Sequence, residues 1–322
     1  MTGPPVLPAP VPDGTPAPDW TPTVSVVVPT KDRPELLVRA VRAILEQQYA
    51  GEIECIVVFD QEQTHIPDVP TGPGRSLRVE RNRRTPGLAG GRNTGYLLAQ
   101  GELLAACDDD DEWLPGKLQA QVELLARHPG ASLIATSILI HYDGRDIPRD
   151  ATPVPLTFRD FLRDRRMEVH PSTYLARRCA VIDGFGLVDE EIPGGYAEDY
   201  EWLLRAARTG PVMCVPRRLV RVHWHSASFF TSRWQMIDQA LTWLLEEVPE
   251  FVEEPRGLGR IEGQLAFANA AMGRRRRALG YASRALRHYP ANRQAWASLP
   301  VSAGLLKADQ VVSFGRRLGR GV

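Results

Sequence analysis

Apolar residues in the first part of the chain follow two patterns in turn, one typical of strands and one typical of helices. Residues 23–30 and 53–60 are nearly continuous runs of β-branched and other apolar side chains, which is typical of buried strands. Residues 35–45 carry apolar side chains at helical spacing, and Pro34 precedes them at a position where helices tolerate proline. This helical stripe consists of Leu37, Val41, Ile44 and Leu45. The pattern predicts strand, helix and strand in succession.

The next segment repeats this order. A glycine-rich stretch, residues 87–95, opens a helical segment that continues through residues 96–99, and the apolar run 103–106 reads as another strand. A further helix is expected to begin near residues 113–115. Strands that alternate with helices favour a doubly wound, mostly parallel sheet, so the predicted fold class is α/β.

A block of carboxylates follows the strand 103–106 directly, because residues 107–113 read Cys-Asp-Asp-Asp-Asp-Glu-Trp. If the chain stays extended there, Asp108 and Asp110 point to the same side at the carboxyl end of the strand, where open α/β sheets bind ligands. Adjacent carboxylates repel one another, and a divalent cation would relieve that repulsion. Hard oxygen ligands favour Mg²⁺ or Mn²⁺ over zinc. The alternative is a solvated acidic turn that caps the next helix.

Several other ligand-binding patterns do not occur in the sequence. The chain has no Gly-x-x-x-x-Gly-Lys-Ser/Thr phosphate loop, and its glycines do not form Gly-x-Gly-x-x-Gly. The acidic block lacks the glycine and the distal glutamate of an EF-hand loop. Neither Gly-x-Ser-x-Gly nor a zinc-type cluster of Cys and His is present. These observations argue against a kinase, a dinucleotide-binding enzyme, a calcium sensor and a serine hydrolase.

Five ordered motifs between residues 23 and 230 together resemble family 2 glycosyltransferases of the GT-A fold. They are Val-Val-Pro-Thr-Lys-Asp-Arg-Pro at 27–34, Val-Val-Phe-Asp at 57–60, Gly-Gly-Arg-Asn-Thr-Gly at 90–95, the four aspartates at 108–111, and Glu-Asp at 198–199. The resemblance implies a Rossmann-like GT-A domain. It also implies an inverting, metal-assisted transfer of a sugar from a UDP-, GDP- or dTDP-sugar to an acceptor hydroxyl.

The resemblance also assigns roles to individual residues. The positions that match the family's nucleotide-binding residues are Pro29, Thr30, Asp32, Asp60, Arg92 and Asp108. The expected metal ligands are Asp108, Asp110 and His225, with Asp111 in a supporting position. His223 lies on the same strand face as His225 and is the other candidate histidine. Phe59 replaces the first acidic residue of a pair that contacts the nucleoside, so part of that contact is altered.

An acidic pair begins the helix that the sequence predicts over residues 196–209. An inverting transfer needs one general base to take the proton of the acceptor hydroxyl. By resemblance this base is Asp199, and Glu198 is the alternative. Both acidic residues could instead serve as caps, because the helix dipole favours negative charge at that end. His170 precedes a short strand that is expected on the acceptor side.

The carboxyl-terminal third has a different character. Helical stripes recur over residues 234–248, 260–271 and 278–286, and the last two helices are joined near Gly273 in a way that resembles one tetratricopeptide-like hairpin. Residues 256–322 hold 13 Lys and Arg but two acidic residues. Such a basic region fits a membrane surface, a lipid-linked acceptor or a neighbouring acidic surface, and a solvated basic surface is the alternative. The sequence predicts no nucleic-acid partner, because aromatic residues are not interleaved with the arginines.

The composition favours an enzyme that works in the cytoplasm. Peripheral contact with the inner membrane face is compatible with this location. The chain has 322 residues, 43% of them hydrophobic, and no apolar run of 18 residues. Four isolated cysteines indicate reduced core residues. Residues 1–22 contain eight prolines and predict a disordered tail. The predicted domains are therefore this tail, a GT-A domain at 23–230 and a helical extension at 231–322.

Three other functions remain open at this level. A nucleotidyltransferase would share the sheet and the metal, but Pro29-Thr30-Lys31-Asp32 stands where its glycine-rich first loop would be. A non-catalytic module that binds sugar nucleotides or proteins would keep the fold without turnover, and Phe59 is the departure that favours it. A helical-repeat scaffold would explain the carboxyl-terminal third alone. The glycosyltransferase interpretation places the protein in polysaccharide or glycoconjugate biosynthesis.

Overall fold

The computed structural model of the protein describes residues 20–224 and 233–317. Internal contacts divide these residues into two units. The first unit comprises residues 20–158, 166–190 and 202–224, and the second comprises residues 159–165, 191–201 and 233–317. Residues 1–19 of the predicted tail lie outside the described residues. Tyr49 donates a hydrogen bond from its hydroxyl to the Pro22 carbonyl (2.5 Å), so Pro22, the last residue of that predicted tail, is held within the first unit.

Within residues 20–224, nine strands form one mixed sheet in the first unit, in the order β3-β2-β1-β4-β8-β6-β9-β5, with β7 beside β6. The strands are β1 (Val24–Thr30), β2 (Ile53–Phe59), β3 (Arg75–Arg81), β4 (Leu103–Ala106), β5 (Glu112–Trp113), β6 (Leu133–Tyr142), β7 (Arg145–Arg149), β8 (Leu175–Arg177) and β9 (Val212–His223). The predicted α/β class and mostly parallel sheet are confirmed.

The directions of the strands place several chain ends on one edge of the sheet. β1 is parallel to β2 and β4, and β6 is parallel to β9. β8 is antiparallel to both β4 and β6, so β4 and β6 run in the same direction. The carboxyl ends of β1, β2, β4, β6 and β9 therefore meet at the same edge, which is where α/β sheets bind ligands.

The helices α1 (Pro34–Leu45), α2 (Leu88–Leu98) and α3 (Lys117–Arg127) follow the strands of the first unit. α1 buries Leu37, Val41 and Ile44 completely, as its stripe predicts. α2 lies very close to β1, because a Cβ atom on Gly95 would come within 2.3 Å of Val27 Cγ1. The glycine at this position therefore lets α2 approach β1 closely.

The strand predicted at 103–106 is confirmed, but the chain turns directly after it and the next helix begins later than predicted. The strand β4 ends at Ala106, and the aspartates form a turn in which the Asp111 N–H donates to the Asp108 carbonyl (3.2 Å). An extended chain would force alternate carboxylates into the same apolar layers as the strand, whereas a turn lets each carboxylate reach its own donor. The next helix begins at Lys117 rather than near residue 113, because Glu112–Trp113 pair with β9 as β5.

The second unit is helical, as predicted for the carboxyl-terminal third. Its helices are α6 (Trp234–Glu247), α7 (Pro255–Ala271), α8 (Arg275–His288), α9 (Arg293–Ser302) and α10 (Ala308–Arg317), and the short helices α4 (Phe158–Arg163) and α5 (Glu198–Thr209) are divided between the units. α7 begins five residues before the predicted start, because Pro255 occupies its first turn, where helices tolerate proline. Gly273 joins α7 to α8 with a positive φ of 72°. Phe267, Ala270 and Ala278 form part of the core.

Two further observations concern the whole chain. Cys55, Cys107 and Cys214 are free and buried, as expected for reduced core residues, whereas Cys179 is free and exposed. Among the helices described within 20–224 and 233–317, none combines the length and the apolar character that a membrane span requires.

Candidate active site

The site is built from the segments that follow three adjacent strands. β1, β2 and β4 end at Thr30, Phe59 and Ala106, and Thr30 is the register partner of Phe59. Asp60 and the acidic turn, which we define as residues 108–111, come immediately after β2 and β4. Because the strands are parallel neighbours, the sheet gathers these acidic residues at its carboxyl edge.

Donors from α2, from the end of β1 and from the residue before α1 contact the first three aspartates of the acidic turn. Asp108 accepts a hydrogen bond from the buried Arg92 (2.6 Å), and Asp109 accepts one from the Thr30 hydroxyl (2.7 Å). Arg33 donates to both Asp109 (3.0 Å) and Asp110 (2.8 Å). Burial raises the pKa of Asp109, although the hydrogen bond from Thr30 and the charge of Arg33 oppose this effect.

Asp111 is the most deeply buried member of the acidic turn, with 1% of its surface exposed. Its carboxylate accepts hydrogen bonds from the Ser172 hydroxyl (2.5 Å) and from the His223 backbone N–H (3.2 Å). Burial raises the pKa of Asp111 well above its usual range, and the negative charges of Asp108 and Asp110 raise it further. The turn therefore concentrates negative charge where solvent screens it poorly, and a cation would stabilise the ionised form.

Asp108, Asp111 and His170 each offer a ligand atom, and these atoms lie within 4.8 Å of one another. The two carboxylates fit a hard cation such as Mg²⁺ or Mn²⁺. His170 Nδ1 lies 3.5 Å from an Asp111 carboxylate oxygen and accepts the Ser172 N–H (3.3 Å). A cation bound at Nδ1 would have to displace that N–H, so the carboxylates are the stronger part of the donor set.

The sequence prediction for the metal named a different set of residues. Asp108 belongs to both sets, whereas the carboxylate of Asp110 faces Arg33. His225 lies outside the described residues. His223 Nε2 lies 3.8 Å from a carboxylate oxygen of Glu112, and burial together with the charge of Arg39 lowers the pKa of His223 to about 4. The ring of His223 is therefore neutral at physiological pH.

The predicted nucleotide-binding residues line the same edge. Asp60 accepts hydrogen bonds from Asn82 (2.8 Å) and from the Gly87 N–H (3.1 Å), so it connects β2 to the start of α2. Asp32 adopts a positive φ of 54°, and its N–H donates to Glu62 (3.0 Å). Pro29 lies in β1 beside Val58 of β2.

Phe59, which replaces an acidic residue of the family, is 1% exposed and contacts the His65 ring edge-on at 4.7 Å between centroids. Its side chain therefore fills the core rather than the ligand edge.

Sequence reasoning missed Glu190 and Ser172. Glu190 accepts hydrogen bonds from Asn93 (2.7 Å), Arg84 and the Thr85 N–H (3.1 Å). Burial opposes ionisation of Glu190, but these donors outweigh it and lower its pKa to about 2. Both Asn93 and Thr85 lie close in sequence to Arg92, whereas Glu190 is almost 100 residues away and carries no motif. Only the folded topology of the chain brings Glu190 to the carboxyl edge of the sheet.

The predicted catalytic pair lies in the second unit. Asp199 accepts two hydrogen bonds from Arg165 Nη2, at 2.9 and 2.7 Å, and Glu198 is buried. Both residues belong to the first turn of α5, and Ala197 immediately before them adopts a positive φ of 68°. A non-glycine residue in that conformation is strained, and such strain often occurs at functional sites, where it helps to orient a side chain. The catalytic role stays a prediction.

Comparison with known proteins agrees with this architecture. The profile of the family described as "Glycosyl transferase family 2" matches residues 25–185, which is half of the chain. The putative colanic acid biosynthesis glycosyl transferase WcaA of Escherichia coli is 32% identical over 102 residues, which are 30% of this chain and 36% of that protein. The present chain thus spans little more than a third of this relative.

Solved structures show the same fold at low sequence identity. The Staphylococcus aureus TarS fragment 1–349, solved with UDP-GlcNAc, superposes with a TM-score of 0.57 at 14% identity and covers 92% of each chain. The mannosyltransferase PcManGT of Pyrobaculum calidifontis, solved with GDP-Man and Mn²⁺, gives a TM-score of 0.57 at 20% identity and covers 95% of this chain and 83% of its own. The predicted GT-A fold is confirmed, and the chain belongs to glycosyl transferase family 2.

Proposed function

We propose that this protein is an inverting glycosyltransferase that moves a sugar from a nucleotide-sugar donor to a hydroxyl group of a glycan or lipid-linked acceptor. The observation that carries the proposal is the acidic turn at the carboxyl edge of the sheet, in a chain of glycosyl transferase family 2. The neighbours solved with UDP-GlcNAc and GDP-Man support a nucleotide-sugar donor. UDP-, GDP- and dTDP-sugars are the candidates.

The proposed cofactor is Mn²⁺ or Mg²⁺, held by carboxylates of the acidic turn. Asp108 is the shared member of the two candidate ligand sets, Asp110 and His225 complete the set from the sequence, and Asp111 and His170 complete the set from the geometry. Bound there, the cation would neutralise the charge that develops on the departing diphosphate. A Mn²⁺ complex of a neighbour with the same fold supports this choice.

The other residues of the edge would bind and orient the donor. Thr30, Asp32 and Asp60 carry hydroxyl and carboxylate oxygens that suit the hydroxyl and N–H groups of a nucleoside, with Pro29 against its ring. Arg92 is buried and already holds Asp108 at 2.6 Å, so it would fix that carboxylate while the charge of the guanidinium attracts phosphate.

Asp199 is the proposed general base, with Glu198 as the alternative. A carboxylate oxygen of Asp199 would take the proton of the acceptor hydroxyl as that hydroxyl attacks the anomeric carbon. Arg165 donates to both oxygens and so orients the carboxylate, which is a property that a base of this kind needs.

The acceptor and the location of the protein are proposed from charge and from a relative. WcaA is named for colanic acid biosynthesis, which supports a role in polysaccharide assembly. We place the protein in the cytoplasm, with the basic residues of its second unit in contact with the inner membrane face or with a lipid-linked acceptor.

Nucleotide binding followed by transfer tests the proposal. UDP, GDP and dTDP would each be added with Mn²⁺, with Mg²⁺ and with a chelator in a thermal-shift series, and one nucleotide should stabilise the protein only with metal. A ligand at 100 times its dissociation constant adds about 2.7 kcal/mol to the free energy of unfolding. The corresponding sugar donor is then incubated with glycan and lipid-linked acceptors.

The outcomes separate the candidate functions. Sugar transfer with inverted anomeric configuration is the expected result. Metal-dependent nucleotide binding without hydrolysis or transfer of any donor would favour the non-catalytic module. Release of pyrophosphate from a nucleoside triphosphate and a sugar phosphate would favour a nucleotidyltransferase. No stabilisation by any nucleotide would overturn the proposal.

A further inference from the structure

A short buried turn supports the acidic turn from within the first unit. Pro171–Thr173 form one 3₁₀ turn whose three residues are all buried. The Ser172 hydroxyl donates to the Asp111 carboxylate (2.5 Å) and accepts the Asp108 backbone N–H (3.0 Å). The Ser172 N–H donates to His170 Nδ1 (3.3 Å). One serine therefore contacts all three residues of the geometric cation cluster.

The position of this serine is fixed from the opposite side by β5 and α3. Trp113 donates from its indole N–H to the Ser172 carbonyl (2.9 Å). Gln121 donates to the carbonyls of Thr173 (2.6 Å) and Ile134 (2.9 Å), and its own carbonyl oxygen accepts a hydrogen bond from Lys117 (2.7 Å). The Lys117 ammonium also lies 3.6 Å from the centre of the Trp113 ring. The turn thus rests on a layer of buried polar groups that make specific contacts.

The Asp111 carboxylate depends on its hydrogen-bond donors because it is almost fully buried. A buried carboxylate is costly unless it accepts hydrogen bonds, and loss of one donor leaves it free to rotate. The Ser172 hydroxyl supplies one such donor and, through the Asp108 N–H, also fixes the start of the acidic turn. Groups that orient metal ligands in this way typically change metal affinity by about 10- to 100-fold when removed.

We propose that Ser172 is a positioning residue for the divalent cation: it holds Asp108 and Asp111 in one arrangement so that their carboxylates bind the cation together. The proposal rests on the metal-assisted reaction proposed above and adds to it a residue that no motif marks. Ser172 does not bind the cation itself. Its effect is on the affinity for metal rather than on the chemistry of transfer.

The test compares Ser172→Ala with Ser137→Ala. Ser137 is also fully buried, and its hydroxyl accepts the Ala151 N–H (2.9 Å) rather than contacting a carboxylate. Free Mn²⁺ would be followed by electron paramagnetic resonance during titration of each protein. Ser172→Ala should weaken Mn²⁺ binding by about 10-fold or more, and Ser137→Ala should not change it. At saturating Mn²⁺, donor KM and kcat of Ser172→Ala should return close to the wild-type values.

Each result bears on a different claim. A folded Ser172→Ala protein with wild-type Mn²⁺ affinity overturns the positioning role and leaves the proposed function intact. A wild-type protein that binds no Mn²⁺ or Mg²⁺, with or without nucleotide, overturns both. If Ser172→Ala does not fold, Trp113→Phe provides the test, because it removes the donor to the Ser172 carbonyl but keeps an aromatic side chain at this position. It should weaken Mn²⁺ binding several-fold, and an unchanged affinity would again overturn the proposal.

Discussion

At the scale of single residues, Arg33 and Arg92 contact different carboxylates of the acidic turn. Arg92 holds Asp108, whereas Arg33 bridges Asp109 and Asp110 and is itself about half exposed. Exposed ion pairs contribute little to stability, so the contact between Arg33 and Asp110 costs little to break. The carboxylate of Asp110 can therefore leave Arg33 for a cation at small cost, which reconciles its present contact with the ligand role expected from the sequence.

Asp110→Asn tests that role. The substitution should abolish metal-dependent nucleotide binding while the protein without metal stays folded and is slightly more stable, because one of several repelling charges is removed. Calorimetric titration with the preferred nucleoside diphosphate, with and without Mn²⁺, measures the first effect. Asp150→Asn is a suitable control, since Asp150 is also paired with one arginine but is exposed. Unchanged metal-dependent affinity in Asp110→Asn would restrict the ligands to Asp108 and Asp111.

A second substitution at this scale addresses catalysis. Asp199→Asn keeps the size of the side chain but removes the base, so kcat should fall by roughly 100-fold or more while donor affinity stays nearly constant. Asp164→Asn changes a half-exposed carboxylate of the same unit, which lies 3.7 Å from Arg256, and should leave kcat unchanged. Equal losses of donor binding and turnover in Asp199→Asn would instead assign Asp199 to nucleotide binding or to structure.

At the scale of elements, burial explains which parts of the fold the sequence could predict. β1 and β2 are buried almost throughout, and α1 has one apolar stripe, so simple periodicity identifies them. β5 has two residues and β7 reads Arg-Asp-Ile-Pro-Arg, so neither carries a period that identifies a strand. Their pairing depends on partners that are distant in sequence.

Separation along the chain also decides which residues of the candidate site the sequence could predict. Asp60, Arg92 and Asp108 stand in local motifs and could be found from the sequence. Ser172 and Glu190 contact the site across 61 and 97 residues, to Asp111 and Asn93, and nothing near them in sequence marks that contact. Residues that support a site from distant parts of the chain can therefore be identified only from the structure.

α3 provides a prediction at this scale through its first residue, Lys117, which is fully buried. Burial lowers the pKa of Lys117 from 10.5 to about 7. Between these values the unfolded chain binds a proton that the folded protein does not, so this residue makes stability rise with pH from about 7 to 10.5. Lys117→Met should therefore be more stable than wild type at pH 7, by an amount that shrinks as the pH approaches 10.

Urea unfolding of both proteins across this pH range measures the difference, and the comparison cancels groups that titrate in both. Lys307→Met serves as the control for the loss of a lysine, because Lys307 is exposed. A difference between wild type and Lys117→Met that stays constant with pH would mean that Lys117 remains protonated in the folded protein.

At the scale of the whole molecule, the basic carboxyl-terminal third is partly neutralised by its own acidic residues. Arg274 and Arg277 lie 3.1 and 3.7 Å from the buried carboxylate of Asp238. Arg284 and His288 both contact Glu262, at 2.9 and 2.7 Å. These basic residues therefore have a structural role, and the basic region is less uniform than the sequence indicates. Arg275 and Arg276 are exposed, so they are the better candidates for an anionic partner.

The membrane proposal can be tested by separating these two groups of arginines. Each exposed arginine near an anionic bilayer contributes on the order of 1 kcal/mol, so changing both Arg275 and Arg276 to Gln should weaken binding to anionic liposomes by about 2 kcal/mol, or roughly 30-fold. Arg274→Gln should instead lower the free energy of unfolding by about 1–3 kcal/mol, because Asp238 loses a partner while buried. Sedimentation with neutral and anionic liposomes at low and high salt, together with urea unfolding, measures both effects. Binding that ignores lipid charge, or that survives the double substitution unchanged, would exclude attachment through these arginines and leave the basic helices as a surface for packing or for another protein.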